Sequence, residues 1–281
     1  RTNALPENAQ YVYDYYTDNC STRARDALDS VLGGQLRVAF DTVATGTTWR
    51  WHTRRLLRPD PLAEAGIQVV LGNPGDAAIS AWEEMFLPMR MRDHLSRATV
   101  RGPGGEERPL VVREVQLLES ARPPAPSEPA NRLPAALLLG LVAAAAVGAL
   151  GRWGAAGSRP GTRAFGGALV AWSLVTGLLG AILVLAWAFT DHDFWGWNEN
   201  LLQLSPLSLG IAVLALPLLL GRAPGRRLRT LLGWVAALSA AALVVKLFPG
   251  ADQRNWEVVA VALPVHLALA WWVARFPEPA P

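Results

Sequence analysis

Cysteine and lysine are almost absent from this sequence of 281 residues, which contains one of each, Cys20 and Lys246. A single cysteine excludes an intrachain disulfide, so cysteine usage does not indicate the redox compartment. The sequence has no second cysteine and no histidine pair at ligand spacing, so we expect neither a metal site nor a cofactor. The thiol of Cys20 is therefore available for chemistry.

Charged residues are also scarce, at 17% of the chain against 51% hydrophobic residues, and they are unevenly distributed. Residues 1–131 carry a net charge of −2, whereas residues 132–281 carry +5. A nucleic-acid-binding protein concentrates its basic residues on a polar domain, but here the polar part is slightly acidic. We therefore expect no nucleic acid among the partners, and the apolar second part indicates a membrane protein.

Long apolar runs in the second part predict an all-α bundle of five transmembrane helices. Each run is long enough, at 1.5 Å per residue, to cross an apolar core of about 30 Å. The predicted spans are 133–151, 165–189, 201–221, 228–248 and 256–275. The third is the least regular, because serine and proline residues interrupt it at Ser205, Pro206, Ser208 and Pro217.

The connecting loops predict the orientation of these spans. The loops after the first and third spans are rich in arginine, whereas loop 190–200 holds three carboxylates and no basic residue. By the positive-inside rule, the arginine-rich loops lie in the cytoplasm. We therefore expect the N-terminal domain outside the membrane and the C-terminus inside.

The domain organisation follows from these spans. Residues 1–119 form an extracytoplasmic α+β domain, residues 120–132 a proline-rich tether, and residues 133–281 the transmembrane domain. An extracytoplasmic domain needs a signal sequence, and none precedes Arg1. We therefore expect the chain to be the later part of a longer protein, with only the C-terminal part of the outer domain present.

Residue patterns give a coarse secondary structure for the outer domain. We expect strands at Ala63–Leu71 and Leu110–Leu118, and a helix from Asp76 to Ala98 that Pro88 breaks or kinks. A basic cluster precedes these elements and predicts a solvated basic face or contact with lipid headgroups. Its members are Arg50, Arg54, Arg55 and Arg58.

The segment DNCSTRARDALDSVLGG carries the strongest functional signal. Its apolar residues recur at helical spacing, and Asp18 or Asn19 is a suitable N-cap. Cys20 then lies in the first turn, where backbone N–H groups and the helix dipole favour a thiolate and can hold an oxyanion. Arg23 adds positive potential one turn later. The alternative is a buried cysteine that acts as a small apolar side chain.

A nucleophilic cysteine needs a base, and three histidines are candidates. His52 and His94 lie in the polar domain, and His192 lies in loop 190–200 between Asp191 and Asp193. The two carboxylates favour the imidazolium form, which makes His192 a better charge partner than a free base. We expect residues 191–200 to border the same cleft as Cys20.

Three segments of the chain resemble the Lnb-like family of bacterial membrane proteins. They are PENAQYVYDYYTDNCSTRARDALD, LGNPGDAAISAWEEMFLP and DHDFWGWNENLLQLSPL. The resemblance implies an extracytoplasmic domain and five transmembrane helices in the bacterial cytoplasmic (inner) membrane. The family's named member is a lipoprotein intramolecular transacylase, which moves an acyl chain of a diacylglyceryl lipoprotein from a glycerol ester to the N-terminal amine.

The cysteine run is also similar to the cysteine box of permuted papain-like proteins of the NlpC/P60 type, in which a histidine precedes the cysteine. The family pattern places that histidine before PEN, so we expect the general base N-terminal to this chain rather than at His52 or His94. The resemblance implies catalytic residues Cys20, Asn19, Arg23 and His192. It implies substrate-binding residues Asp18, Ser21, Thr22, Asp191, Asn198 and Asn200.

The expected function is a membrane-bound cysteine acyltransferase. It would pass an acyl chain from a lipid or lipoprotein ester, through a Cys20 thioester, to an amine, and its partners are that substrate and the bilayer. Two alternatives stay open: a membrane-tethered cysteine amidase or peptidase that acts on the cell wall, and a non-enzymatic scaffold. An apolar groove from Cys20 into the bundle favours acyl transfer, an open polar cleft favours the amidase, and a buried Cys20 without polar neighbours favours the scaffold.

Overall fold

A computed structural model describes residues 11–277, which fall into two compact units. The first unit runs to Leu56 and resumes from Ala77 to Glu128. The second contains Leu57–Asp76 and the chain from Pro129 onward. Residues 57–76, which we had assigned to the outer domain, therefore group with the apolar helices.

Twelve α-helices and four strands occur in the described residues. The helices are α1 (Cys20–Val31), α2 (Gln35–Phe40), α3 (Trp49–Leu57), α4 (Pro61–Val70), α5 (Ala81–Glu84), α6 (Pro88–Leu95), α7 (Leu133–Ala155), α8 (Arg159–Phe189), α9 (Leu207–Leu214), α10 (Leu216–Leu219), α11 (Arg226–Val245) and α12 (Trp256–Val273). The strands are β1 (Ala44–Thr48), β2 (Ala78–Ser80), β3 (Thr99–Arg101) and β4 (Glu107–Pro109).

The first unit has the α+β character that the sequence predicts. Strands β1 and β2 pair antiparallel, with Ala44 opposite Ser80, and β3 and β4 form a second antiparallel pair. Aromatic side chains fill the interior, where the ring of Phe86 lies 4.9 Å from that of Trp49 and 5.5 Å from that of Tyr16. This core supports helix α1 and the segment that follows α5.

Two expectations for the polar segments are wrong in detail. Ala63–Leu71 is not a strand: Ala63–Val70 belongs to helix α4 and Leu71 is its C-cap, because Asp60 caps the first turn and Pro61 occupies the first helical position. The expected helix from Asp76 is interrupted by β2 and by Ser80, which caps α5. Pro88 does break the helix as predicted, since it begins α6.

The expected strand Leu110–Leu118 is absent from the described residues, and β4 ends at Pro109. Apolar residues in that stretch, including Val112, Leu117 and Leu118, are exposed rather than paired in a sheet. Proline cannot donate to a strand ladder, so Pro109 is a suitable end for the pairing.

The second unit contains four helices that are long and apolar enough to cross a membrane: α7, α8, α11 and α12. A fifth span is present if the bent pair Asp193–Leu202 and Leu207–Leu219, which meets at 43°, counts as one crossing. The bend falls in the span that the sequence marks as irregular. Small residues permit close helix packing: a Cβ atom on Gly140 of α7 would lie 2.1 Å from the carbonyl oxygen of Ala260 in α12.

Candidate active site

Asn19, rather than Asp18, caps helix α1. Its side-chain oxygen accepts hydrogen bonds from the backbone N–H groups of Ser21, at 2.7 Å, and Thr22, at 3.0 Å. In return, the Thr22 hydroxyl accepts from the Asn19 N–H at 2.8 Å. The Asn19 carboxamide also donates to the carbonyl oxygens of Tyr15 and Phe86. Asn19 thus fixes both the start of α1 and its attachment to the unit's interior.

This cap changes the expected oxyanion site. The N–H groups of Ser21 and Thr22 are both engaged by Asn19, and the Arg23 N–H donates to the Asn19 carbonyl. Among the described residues, no hydrogen bond uses the N–H of Cys20. A single backbone donor, on the cysteine itself, is therefore left to face a developing negative charge.

Cys20 is exposed and has polar neighbours. The Tyr11 hydroxyl lies near the Cys20 side chain. The guanidinium of Arg23 lies 4.3 Å from the centre of the Tyr11 ring, and its Nη2 donates to Asp18 Oδ2 at 2.7 Å. Desolvation first, and then the charge and hydrogen bond of Cys20, raise the pKa of Tyr11. Tyr11 is therefore protonated at neutral pH, and its O–H can donate to an anion beside it.

Ser21 and Thr22 are buried and attach the helix rather than face solvent. Ser21 Oγ donates to the carbonyl oxygen of Met85 at 2.7 Å. Thr22 Oγ1 donates to the Asn19 carbonyl while it accepts from the Asn19 N–H. The structure therefore gives both hydroxyls a structural task, and their contact with substrate stays a prediction.

The carboxylate of Glu84 contacts both candidate bases of the polar domain, His52 and His94. Glu84 Oε1 lies 2.8 Å from His52 Nε2, and Glu84 Oε2 lies 2.7 Å from His94 Nε2. Arg55 Nε donates to His52 Nδ1 at 3.1 Å, so that nitrogen is unprotonated and Nε2–H is the donor to Glu84. His52 is fully buried and its pKa is lowered, chiefly by desolvation.

The same cluster holds Glu84 in its ionised form. Burial raises the pKa of Glu84, but the hydrogen bonds of His52 and His94 outweigh it and lower the pKa to about 2. The sequence predicts a solvated basic face for the arginines around Glu84. Two of them, Arg50 and Arg55, are instead buried, and Arg55 also donates to the Pro126 carbonyl. This carboxylate-centred cluster stabilises the interior of the first unit.

In the second unit, the charged start of segment 191–200 is exposed. Asp191, His192 and Asp193 all face solvent. The His192 ring stacks on that of Trp195, with centroids 5.5 Å apart. An exposed imidazole between two carboxylates matches the predicted charge partner in composition. Cys20 belongs to the first unit and His192 to the second, so the proximity of these two residues stays a prediction.

The asparagines of the same segment are buried and bind the end of helix α4. Asn198 Nδ2 donates to the carbonyl oxygens of Val69, at 2.9 Å, and Val70, at 3.1 Å. Asn200 Nδ2 donates to those of Gln68, at 2.8 Å, and Val69, at 3.0 Å. A helix leaves its last four carbonyl groups without intrahelical partners. The two carboxamides supply those partners, so their contact with substrate stays a prediction.

Gln253, which the sequence did not single out, completes this arrangement, the carboxamide clamp of Asn198, Asn200 and Gln253. Its Nε2 donates to the Leu71 carbonyl and to Asn198 Oδ1, both at 3.1 Å. Backbone packing is equally close: a Cβ atom on Gly72 would lie 2.0 Å from the Gly196 carbonyl oxygen. The clamp therefore joins α4 to segment 191–200 without room for a side chain at Gly72.

The sequence analysis also did not identify Tyr11 or Glu84 as candidate site residues. The YVYDYY run signalled an aromatic cluster, but nothing in its spacing separates Tyr11 from its neighbours. The Glu83-Glu84 pair follows Ser80 in a capping-box pattern, and only the tertiary structure shows that Glu83 caps while Glu84 binds the histidines. The sequence alone does not show that Tyr11 lies near Cys20. Nor does it show which of the two adjacent glutamates caps the helix.

Comparison with known families confirms the resemblance for the start of the chain. Residues 1–58 match the family described as the Lnb N-terminal periplasmic domain. No curated protein and no solved structure matches the chain. The matched domain and the apolar helices together indicate a membrane protein whose first domain is extracytoplasmic.

Proposed function

From the match of residues 1–58 to an Lnb periplasmic domain, we propose that the protein is a membrane-bound cysteine acyltransferase. The observation that carries the proposal is the setting of Cys20. Its side chain is exposed at a capped helix start and lies near Tyr11 and Arg23. A scaffold protein would have no use for a surface thiol with these polar neighbours.

The proposed reaction transfers an acyl chain from oxygen to nitrogen in two steps. The Cys20 sulfur attacks the ester carbonyl carbon, the ester C–O bond breaks, and the alcohol leaves with the thiol's proton. The amine nitrogen of the acceptor then attacks the thioester, the C–S bond breaks, and the amine's proton returns to sulfur. The substrate is a membrane lipid or a lipoprotein, and no cofactor takes part.

The residues around Cys20 have distinct roles in this scheme. Tyr11 stabilises the sulfur anion by donating its O–H, and the Cys20 N–H stabilises the oxyanion of each tetrahedral intermediate. Arg23 supplies positive potential, while its ion pair with Asp18 fixes its position. Asn19 acts as a positioning residue, because it sets the orientation of the first turn.

The proposal also covers the fold and the topology. The first unit would belong to a permuted papain-like domain. The bent pair Asp193–Leu202 and Leu207–Leu219 would cross the membrane as one span, which makes five. Segment 191–200 would then face the same compartment as Cys20, with His192 as a charge partner, and the C-terminus would be cytoplasmic.

The runner-up is a cysteine amidase or peptidase that acts on the cell wall, with water as acceptor. It uses the same exposed thiol, so product analysis must separate the two reactions. Mass spectrometry of membrane lipoproteins, from cells with and without the full-length protein, detects acyl transfer as a lipoprotein with an amide-linked chain. Release of cell-wall fragments instead would identify the amidase.

The decisive variant is Cys20→Ser in the full-length protein, with Ser30→Ala on the same helix as a matched control. Serine keeps the shape but does not ionise near neutral pH, so we expect at least a hundredfold loss of activity with normal insertion. A covalent acyl-enzyme should be trapped on Cys20 of the wild type alone. Full activity of Cys20→Ser would rule out the thioester mechanism.

A further inference from the structure

The N-terminal end of helix α11 borders a groove of about 500 Å³ in the second unit. Two kinds of side chain line it. The cationic or polar ones are Arg226, Arg227 and Thr230, and the apolar ones are Leu214, Leu231 and Trp234. Its volume lies within the range of small-molecule sites. A site with charge at one end and apolar walls matches an amphipathic ligand.

Among residues 11–277, no carboxylate forms an ion pair with the arginines of this groove. Arg226 and Arg227 are exposed, and within residues 11–277 neither forms an ion pair. The neighbouring Arg229 differs, since it donates to the carbonyl oxygens of Val273 and Phe276 and so caps the end of α12. Arg229 therefore has a structural task, whereas Arg226 and Arg227 are available to a ligand.

The apolar part of the groove is open to the bilayer. Trp234 is 64% exposed, and it lies two turns along α11 from Arg226 and Arg227. Tryptophan is enriched where the apolar core meets the headgroups. Guanidinium groups bind phosphate in bidentate geometry. The arrangement thus places phosphate-binding groups at the headgroup level and apolar walls beneath them.

We infer that this groove binds an anionic phospholipid, with its phosphate on Arg226 and Arg227 and the first part of an acyl chain against Leu214, Leu231 and Trp234. The anionic phospholipid is favoured over a zwitterionic one because the headgroup ammonium of a zwitterionic lipid would add a third positive charge beside Arg226 and Arg227, which form no ion pair within residues 11–277. The site is separate from the proposed acyl transfer, since Cys20 is not among its residues.

The test uses the purified chain in nanodiscs of phosphatidylcholine and phosphatidylglycerol in equal amounts. Native mass spectrometry after gentle extraction counts the lipids that stay bound. We expect retained phosphatidylglycerol on the wild type and at least roughly tenfold less on Arg226→Gln/Arg227→Gln, because the loss of even one charge-assisted hydrogen bond lowers affinity by about this factor. Trp234→Ala should also lower retention, although both arginines remain.

Arg152→Gln/Arg163→Gln is the matched control, because it removes two exposed arginines that do not line the groove. It should retain phosphatidylglycerol as the wild type does. Equal losses in both double variants would show non-specific attraction and overturn the inference. Equal retention of phosphatidylcholine would overturn it too, and so would displacement of the lipid by millimolar inorganic phosphate. The readout is lipid retention, so the result is independent of acyl transfer.

Discussion

The hydroxyl of Tyr11 lies near the side chain of Cys20, which places an O–H donor beside the one sulfur atom available for nucleophilic chemistry. A donor of this kind stabilises an anion more than a neutral thiol. The ring of Tyr11 also lies against the guanidinium of Arg23, so the tyrosine joins the cysteine to its positive neighbour. The hydroxyl and the ring can be tested separately.

Tyr11→Phe removes the hydroxyl and keeps the ring over Arg23. We expect alkylation of Cys20 by iodoacetamide at neutral pH to slow roughly tenfold, because a lost charge-assisted hydrogen bond is worth about 1.5–3 kcal/mol in favourable cases. Acyl transfer should fall by a similar factor. Tyr13→Phe, two residues away and exposed, is the control and should leave both rates unchanged. Equal alkylation of Tyr11→Phe and wild type would show that the hydroxyl has no influence on the thiol.

The lowered pKa of Glu84 predicts that acid destabilises the first unit. Its folded pKa, about 2, lies below the ordinary value of 4.5, so its contribution to stability is present above pH 4.5 and is lost as pH falls towards 2. The lowered pKa of His52 acts in the same direction, because the unfolded chain binds a proton below pH 6.5 that the folded chain resists. Stability should therefore decrease continuously on acidification.

The Glu84 contribution should be on the order of 3 kcal/mol, from the size of its pKa shift. Glu84→Gln should lose about this much at neutral pH and should flatten the dependence between pH 4.5 and 2. Denaturant midpoints, followed by hydrogen exchange in residues 81–95, measure both effects. Glu114→Gln, an exposed carboxylate with an arginine partner, should leave the profile unchanged. A pH profile of Glu84→Gln that matches the wild type would contradict this assignment.

Local patterns predicted the parts of the structure that depend on local physics. The helix at Cys20, the break at Pro88 and the apolar helices follow from spacing, capping and hydropathy. The sequence left the N-cap open between Asp18 and Asn19, and the contacts of Asn19 with the interior decide it. Helix α4 differs from the predicted strand, because Ile67, Val69 and Val70 favour a strand by propensity, whereas the cap at Asp60 and Pro61 in the first helical position favour a helix. The carboxamide clamp was unpredictable, since it brings together residues more than fifty positions apart in sequence.

Asn200 tests whether the clamp is structural. Asn200→Asp keeps the size but replaces two N–H donors with a carboxylate beside the carbonyl oxygens of Gln68 and Val69. We expect a loss of about 2–4 kcal/mol in a buried site and faster hydrogen exchange in residues 61–71. His192→Gln, in the same segment but exposed, should leave that exchange unchanged. A normal exchange pattern in Asn200→Asp, with a raised KM for the acyl donor, would indicate substrate binding instead.

Cysteine labelling distinguishes a topology of five spans from one of four. Single cysteines at Ala156, Asp191, Arg222 and Pro277, in a Cys20→Ala background, all lie at exposed positions. With five spans and the first domain outside, an impermeant maleimide should label position 191 in cells with an intact inner membrane. Positions 156, 222 and 277 should be labelled only after permeabilisation, as the arginine-rich loops predict.

Each other outcome identifies a different topology. If the bent pair Asp193–Leu202 and Leu207–Leu219 turned back instead of crossing, α11 and α12 would both reverse direction. Positions 222 and 277 would then be labelled from outside, while position 156 would stay protected. Labelling of positions 156, 222 and 277, with position 191 protected, would show that the whole domain is inverted. Since α7 and α8 precede the bend, position 156 reports the orientation of the bundle, and position 222 reports whether the bent pair spans the membrane.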